Sequence, residues 1–323
     1  MKLSHSFYVA TIASLALFST PNYAQEKKPL TLGTSTVGGT YFVYGGVVAT
    51  LLNKSIPTIN VSTQQTQGPN QNVILMEGKR IELGLTTMGV AKQAWEGTGA
   101  WTGGKKYKTM RAVFPMFASV FNCISRKGRG VKTMADLDGK SVNVGPKAGT
   151  SGTYSPLIFE TLGLKVNVRY SGASDGVGQL ADGLVDAFCF AAGLPITSIS
   201  EYESQNPTEF IDFTDEQIKK VTQKYPELSP AVVPKGLYPS LDKDWKSLGQ
   251  WSFFIVHKDL DPKLVYEITK AVLENNSVLV QGHAAAKHTV IKNVDKNKFL
   301  PFHPGALRYY KEKGVNIPSD LLS

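Results

Sequence analysis

The chain has 323 residues, is 42% hydrophobic, and carries 35 Lys and Arg against 26 Asp and Glu, a net charge of +9. This length and apolar content are ample for the cores of two ordinary domains, and no stretch is low-complexity enough to serve as a disordered linker. The densest positive groups, Lys105-Lys106-Lys108 and residues 292–298, alternate with polar residues rather than stacking aromatics, which argues against a nucleic-acid partner and for a solvated basic surface, or a field that draws an anion toward a cleft.

Residues 1–24 read as a secretory signal peptide. Met1-Lys2 and His5 are a short polar start, residues 7–18 are apolar, and Ser19-Thr20-Pro21-Asn22-Tyr23-Ala24 supplies a breaker and small residues before a cut after Ala24. The apolar run is shorter than the roughly 20 residues a membrane-spanning helix needs. With no Cys at the cut, a lipid anchor is not indicated, and the mature protein is expected in the periplasm.

From Pro29 a strand, glycine-rich turn, helix grammar repeats. Residues 30–34 form a β-prone run, and 41–53 have helical spacing after Gly38-Gly39-Thr40. A strand at 60–64, a helix at 70–78, a strand at 81–86, a short helix at 90–95 and a strand at 111–115 follow. The second part restarts with a strand at 120–126, a capped turn at 133–137, a strand at 141–144, a helix at 154–162, a strand at 166–170, a helix at 176–183 and a strand at 186–190. A returning strand at 251–256 leads to a helix over 262–275, started by Asp261-Pro262. Such βαβ order implies an α/β fold with a largely parallel sheet. The expected division is lobe I, residues 25–118 plus 252–323, and lobe II, residues 119–251, with a cleft between them.

Two loops carry the chemistry. Gly149-Thr150-Ser151-Gly152-Thr153 lies between a β-run and a helix, where backbone N–H groups and three hydroxyls suit a carboxylate or other oxyanion, although capping alone also accounts for it. The run Thr34 to Tyr41 is its counterpart in the first unit, and open α/β sheets bind ligands beyond the carboxyl ends of their strands. After the second strand, Asn70 reads as a helix cap and Asn72 as a ligand contact, while Thr87 adds a hydroxyl at the end of the third.

Neither loop fits a phosphate-binding P-loop or a dinucleotide fingerprint, and Thr153 breaks a Gly-x-Ser-x-Gly nucleophile elbow. The histidines have no metal-ligand spacing and the carboxylates no acid–base pairing. No catalytic residue, metal or cofactor is therefore expected. Cys123 and Cys189 sit in apolar strand-like contexts that favour buried free thiols over a disulfide. One helix end contributes about 0.3–2 kcal/mol toward an anion, whereas micromolar affinity needs about 8 kcal/mol. Several loops must act on one ligand.

These motifs, in this order, resemble the TAXI-type solute receptors of tripartite ATP-independent periplasmic (TRAP) transporters. The resemblance covers nearly the whole mature chain and rests on Gly33 to Tyr41, Gly68 to Asn72, Val90-Ala91, Leu137 to Gly145, Gly149 to Thr153, and Asp182 to Ala187 leading to Gly193-Leu194-Pro195. It implies a type II periplasmic-binding-protein-like fold with two crossings between lobes, and delivery of a small anionic solute, glutamate-like or 2-oxoglutarate-like, to a TRAP-type permease. The implied contacts are Gly39, Thr40, Tyr41, Asn72 and Thr150, Ser151, Gly152, Thr153. Two departures bear on specificity: Thr87-Met88-Gly89-Val90-Ala91 stands where many members resemble Gln-Ser-Asp-Val-Ala, and Pro69-Asn70 replaces a common Gly-Ser. A monomeric receptor is expected, with an exported hydrolase or a sensor using the same cleft as alternatives.

Overall fold

The computed structural model describes residues 26–322, so the expected signal peptide lies outside the described residues. The chain begins with β1 (Lys28–Gly33), α1 (Thr40–Ser55), β2 (Ile59–Gln64), α2 (Pro69–Glu77), β3 (Leu83–Thr87) and α3 (Met88–Glu96). β1 runs parallel to both β2 and β3, as helical crossovers require. β3 is buried at every position, and its sequence accordingly shows no polar alternation.

The next strand departs from expectation. Residues 111–115 and 120–126 belong to one continuous strand, β4 (Met110–Arg126), rather than two. Pro115 stands opposite Phe253 beside a register shift, and such irregular positions tolerate a residue that lacks an N–H. Then come β5 (Ser141–Asn143), α4 (Thr150–Leu162), β6 (Asn167–Arg169), α5 (Ala173–Ala181), β7 (Ala187–Ala192), α6 (Thr197–Glu203), β8 (Thr208–Phe210), α7 (Asp215–Lys224), β9 (Ser229–Val233) and β10 (Trp245–His257). Helices α8 (Pro262–Glu274), α9 (Asn276–Gly282) and α10 (Pro304–Glu312) return to the first part. In α8 the Asp261 side chain accepts from Lys263 N–H at 2.9 Å, and Leu264, Val265, Ile268 and Val272 bury one face.

The strands form one sheet in the order β2-β1-β3-β10-β4-β7-β5-β6, with β8 added to β4 and β9 to β10. Its centre is the antiparallel pair β4 and β10. Phe114 and Phe117 of β4 pack in one core with Phe253 and Phe254 of β10, whereas Phe121 and Ile124 of β4 and Trp245 and Leu248 of β10 pack in others. Each long strand thus passes from one hydrophobic core into the next. Two such crossings between two α/β lobes are the type II periplasmic-binding-protein architecture, with the gap between lobes above the crossing strands.

Lobe I has a single core, drawn from residues 30–117 and 253–321, in which Phe114 and Phe254 stack at 4.8 Å. Lobe II has two, one around Tyr154 and Phe159 and one around Phe188, Tyr238 and Trp245. Val90 of α3 is buried in the first of these, not in the lobe I core. Cys123 and Cys189 form a disulfide, which corrects the expectation of free thiols. The antiparallel register of β4 and β7 places the two residues directly opposite each other, a pairing that local apolar context does not reveal.

Candidate functional site

Helices α1 and α4 begin on opposite sides of the gap, and their N-caps are Gly39 and Gly149, with no side-chain cap. The first four N–H groups of a helix have no intrahelical acceptor. Here the amides of Thr40 and Tyr41 on one side, and of Thr150 and Ser151 on the other, have no acceptor among the described residues. Each helix start also carries roughly half a positive charge. The start of α2 differs. Pro69 has no N–H, and Asn70 already donates its own to the carbonyl of Ala148 at 3.1 Å.

A small cavity lies between these ends, lined by Gly39, Thr40 and Tyr41 of lobe I and by Pro146, Gly149 and Thr150 of lobe II. Ser35, Gln67, Ser119 and Phe190 also line it, and no Lys, Arg, Asp or Glu does. Its volume of about 20 Å³ holds about one water molecule. A solute of several heavy atoms therefore needs the lobes to part.

At the floor, Tyr41 Oη donates to Ser252 Oγ at 2.8 Å, and Ser119 Oγ lies 2.9 Å from the same atom. Ser119 is on β4 and Ser252 on β10, at the register shift between Trp251 and Phe253. The hydroxyl chain thus joins the cavity wall to both crossing strands. Burial holds the Tyr41 phenol well above its ordinary pKa, against the smaller opposing effect of its hydroxyl partners. It stays a neutral donor throughout the physiological range.

The lobes are held together by backbone groups of the first glycine loop. The carbonyls of Val37 and Gly38 accept from Ser174 and Ser198 N–H at 3.4 and 3.2 Å, and Thr36 Oγ1 accepts from Ala173 N–H at 3.2 Å. These donors belong to the first turns of α5 and α6, whose N-caps, Gly172 and Ile196, supply no side-chain cap. Lobe I therefore caps two helices of lobe II. Thr40 Oγ1 adds a bond to the carbonyl of Gly193 at 2.6 Å.

Measured against expectation, Gly39, Thr40, Tyr41 and Thr150 line one cavity. Thr87 meets Thr150 across the gap, hydroxyl to hydroxyl at 3.2 Å. Asn72 does not reach the cavity. It is fully buried in lobe I, donating to the carbonyls of Thr34 and Leu85 at 2.9 Å each and accepting from Thr66 Oγ1 at 2.8 Å, so its amide ties β1 to β3. Asn70, read as a cap, sits inside the first turn behind Gly68, and its amide meets Thr153 Oγ1 at 3.0 Å. Gly152 and Thr153 face a different hollow on the outer side of the lobe boundary. Ser151 Oγ is turned inward, buried without a partner among the described residues. A helix points successive residues about 100° apart, so one turn cannot aim four side chains at one ligand. Gly152 is required by packing, because a Cβ there would stand 2.1 Å from the Pro146 carbonyl oxygen.

The sequence reading missed Ser119 and Phe190. Phe190 lies two residues before the end of β7, near where the strand-end rule points, but Ser119 lies mid-strand in β4 and has no local signal.

Residues 32–314 match the model of the NMT1-like family. The chain belongs to the NMT1-like family. Solved structures similar to it include the periplasmic binding protein BugD, at 12% identity and TM-score 0.57, over 90% of this chain and 98% of that one. A second was described for glutathione import via GshT and the cystine ABC importer TcyBC of Streptococcus mutans, at 16% identity and TM-score 0.53, over 84% and 99%. A third is a putative L-cystine ABC transporter protein from Listeria monocytogenes, at 13% identity and TM-score 0.51, over 81% and 98%. At these identities the likeness establishes the fold.

In this NMT1-like protein the four described histidines act on backbone or stay within lobe I. His283 Nδ1 accepts from Ala285 N–H, and His303 Nδ1 from Gly305 N–H. Burial lowers the pKa of His257, His283, His288 and His303. Among the described residues, no group of three or more His, Cys, Asp or Glu is arranged to hold a metal, and no helix is long and apolar enough to cross a membrane.

Proposed function

We propose that this protein is an extracytoplasmic solute receptor that closes its two lobes around a small carboxylate and delivers it to a membrane permease. One observation carries the reading: unpaired amides at the starts of α1 and α4 face a shared cavity from opposite lobes, with no charged side chain beside them. Two helix ends supply at most about 4 kcal/mol. Hydrogen bonds from hydroxyls to a charged ligand add about 1.5–3 kcal/mol each. Thr150, Ser35 and Ser119, whose hydroxyl is free to donate when Ser252 donates to it, bring the gross sum to the order of the roughly 8 kcal/mol of micromolar binding.

The same lining favours one kind of carboxylate. A buried ammonium needs a counter-charge, and no Asp or Glu lines the cavity. A dicarboxylate or 2-oxo acid is thus favoured over a zwitterionic amino acid. The order of motifs from Gly33 to Pro195 supports a TRAP-type permease as the partner. Proteoliposomes holding that permease should take up solute on an ion gradient without ATP, and an absolute need for ATP would assign the receptor to an ABC transporter instead.

Thr150→Val keeps the shape of the side chain and removes its hydroxyl. It should weaken binding of the best dicarboxylate about tenfold, the loss of one hydrogen bond to a charged group, as read by calorimetric titration. Unchanged affinity would remove Thr150 from the site.

A further inference from the structure

A second region at the lobe boundary is separate from the solute cavity. Two hollows of about 760 and 450 Å³ meet at Lys92, Pro226 and Glu227 and form one trough. Lobe I contributes Lys92, Lys296 and Lys298 to its walls, and lobe II contributes Lys147 and Lys224. Against these five lysines stand two lining carboxylates, Glu96 and Glu227, and Lys296 is also paired with Asp295 at 3.3 Å. Glu227 is engaged, accepting from Tyr154 Oη at 2.8 Å and lying 3.9 Å from Lys92 Nζ. Lys147, Lys224 and Lys298 are exposed, and none is within ion-pair distance of a carboxylate among the described residues. The lining also includes Trp101 and Tyr225 in one hollow and Trp251 in the other.

We infer that this trough is a docking surface for an acidic, extended polypeptide segment of a protein partner. Charge selects the partner's sign. Single exposed ion pairs are worth only about 0–1 kcal/mol, so a small anion touching one or two lysines gains little. A chain running the length of the trough engages lysines in both hollows and covers the aromatic lining as well. The carboxylates of Glu96 and Glu227 stand against a continuous phosphate backbone, which favours a polypeptide over a nucleic acid.

Closure of the lobes makes the surface. Lys92 of α3 reaches Glu227 from the other lobe, and Gly89 lies so close to lobe II that a Cβ would stand 2.2 Å from Tyr154 Oη. When the lobes part, the lysines of lobe I move away from those of lobe II and the trough is lost. The inference concerns the partner and not the solute, so it stands or falls independently of which solute the cavity accepts.

The test uses the chain without residues 1–24 and a fluorescent ten-residue peptide of Asp and Glu with one Tyr. A peptide of Asn and Gln with one Tyr and a single-stranded oligonucleotide are the comparisons, all followed by anisotropy. The acidic peptide should bind at about 20 mM salt and weaken severalfold by about 200 mM, where screening shortens to several ångströms. The neutral peptide should not bind, and the oligonucleotide should bind at least about tenfold more weakly. Lys147→Glu/Lys298→Glu, one reversal on each lobe, should reduce acidic-peptide affinity about tenfold or more with the melting temperature unchanged. Absence of binding at low salt, equal binding of either comparison, or indifference to the double reversal in a folded protein each overturns the assignment. Should the double variant fold poorly, Lys298→Gln alone carries the same test with a smaller expected loss.

Discussion

The solute cavity and the lysine trough both suit negative charge, and they are built in opposite ways. The cavity offers helix-start amides and hydroxyls, with no charged side chain in its walls, in a volume of about 20 Å³. The trough offers five lysines on an open surface. A buried, preorganised donor set is little screened and selects by shape and by hydrogen bonds, whereas exposed lysines are screened by salt and select by sign. On the proposed reading, one molecule holds a small anion specifically while meeting a larger acidic surface loosely.

The largest effect should come from the framework the two regions share. Lobe II gives α4 to the cavity and α7 to the trough, and the Cys123–Cys189 bond closes a separation of 66 residues within it. Cys123→Ala/Cys189→Ala should lower the unfolding free energy by about 2–4 kcal/mol, read by urea denaturation. Solute and peptide affinities of the remaining folded protein should fall together or not at all; a loss confined to one site would show that the sites do not share this support.

Closure is the next point of leverage. Gly89→Leu places a side chain where only 2.2 Å separates its Cβ from Tyr154 Oη and 2.6 Å from Gln250 Oε1. The described approach of α3 to lobe II leaves no room for this side chain. Solute affinity should fall roughly a hundredfold, about 2.7 kcal/mol, with peptide binding reduced in parallel and the radius of gyration in solution increased. Full solute affinity in this variant would mean that the close approach of α3 to α4 is not needed for binding.

A smaller effect separates stability from binding. The folded-state pKa values of His257, His283, His288 and His303 are lowered, chiefly by burial. Between those values and the ordinary 6.5 the unfolded chain binds protons that the folded chain does not. Their contribution to stability is therefore intact above about pH 6.5 and declines as pH falls below it. Melting temperature should drop from pH 7 to pH 5.5, while affinity for a fully ionised dicarboxylate should stay level, because no Asp, Glu, His or Lys lines the cavity. A parallel fall in affinity would point to a titrating group at the site.

Much of this fold is legible in the sequence because local chemistry agrees with it. Gly38-Gly39-Thr40 announces a helix start within one residue of where α1 begins, whereas α4 begins at Thr150, four residues before the expected 154, so that the run read as a loop is the helix's first turn; both starts stand at the cavity. What escapes is set by long-range register. β4 reads as two strands because Pro115 looks like a break, and only its position opposite Phe253 at an irregularity explains its place in a crossing strand. The Cys123–Cys189 pairing likewise follows from the β4 and β7 ladder, 66 residues apart. Within the site, Asn72 carries the residue type of a ligand contact and spends it on lobe I carbonyls. Ser119, with no turn or cap to mark it, reaches the cavity because β4 crosses beneath it. Thr214 and Gln217 form a capping box that marks the start of α7, a signal present in the sequence.

The most direct measurement is a calorimetric titration of the chain without residues 1–24 against glutarate, 2-oxoglutarate, glutamate and a neutral sugar under one buffer. Binding of the first two, at least about tenfold tighter than glutamate and with no heat from the sugar, is the expected result for a charge-free cavity faced by helix-start amides. Preference for glutamate or the sugar, or silence from all four, would contradict the idea that helix-start amides and hydroxyls, without a charged side chain, balance a dianion there.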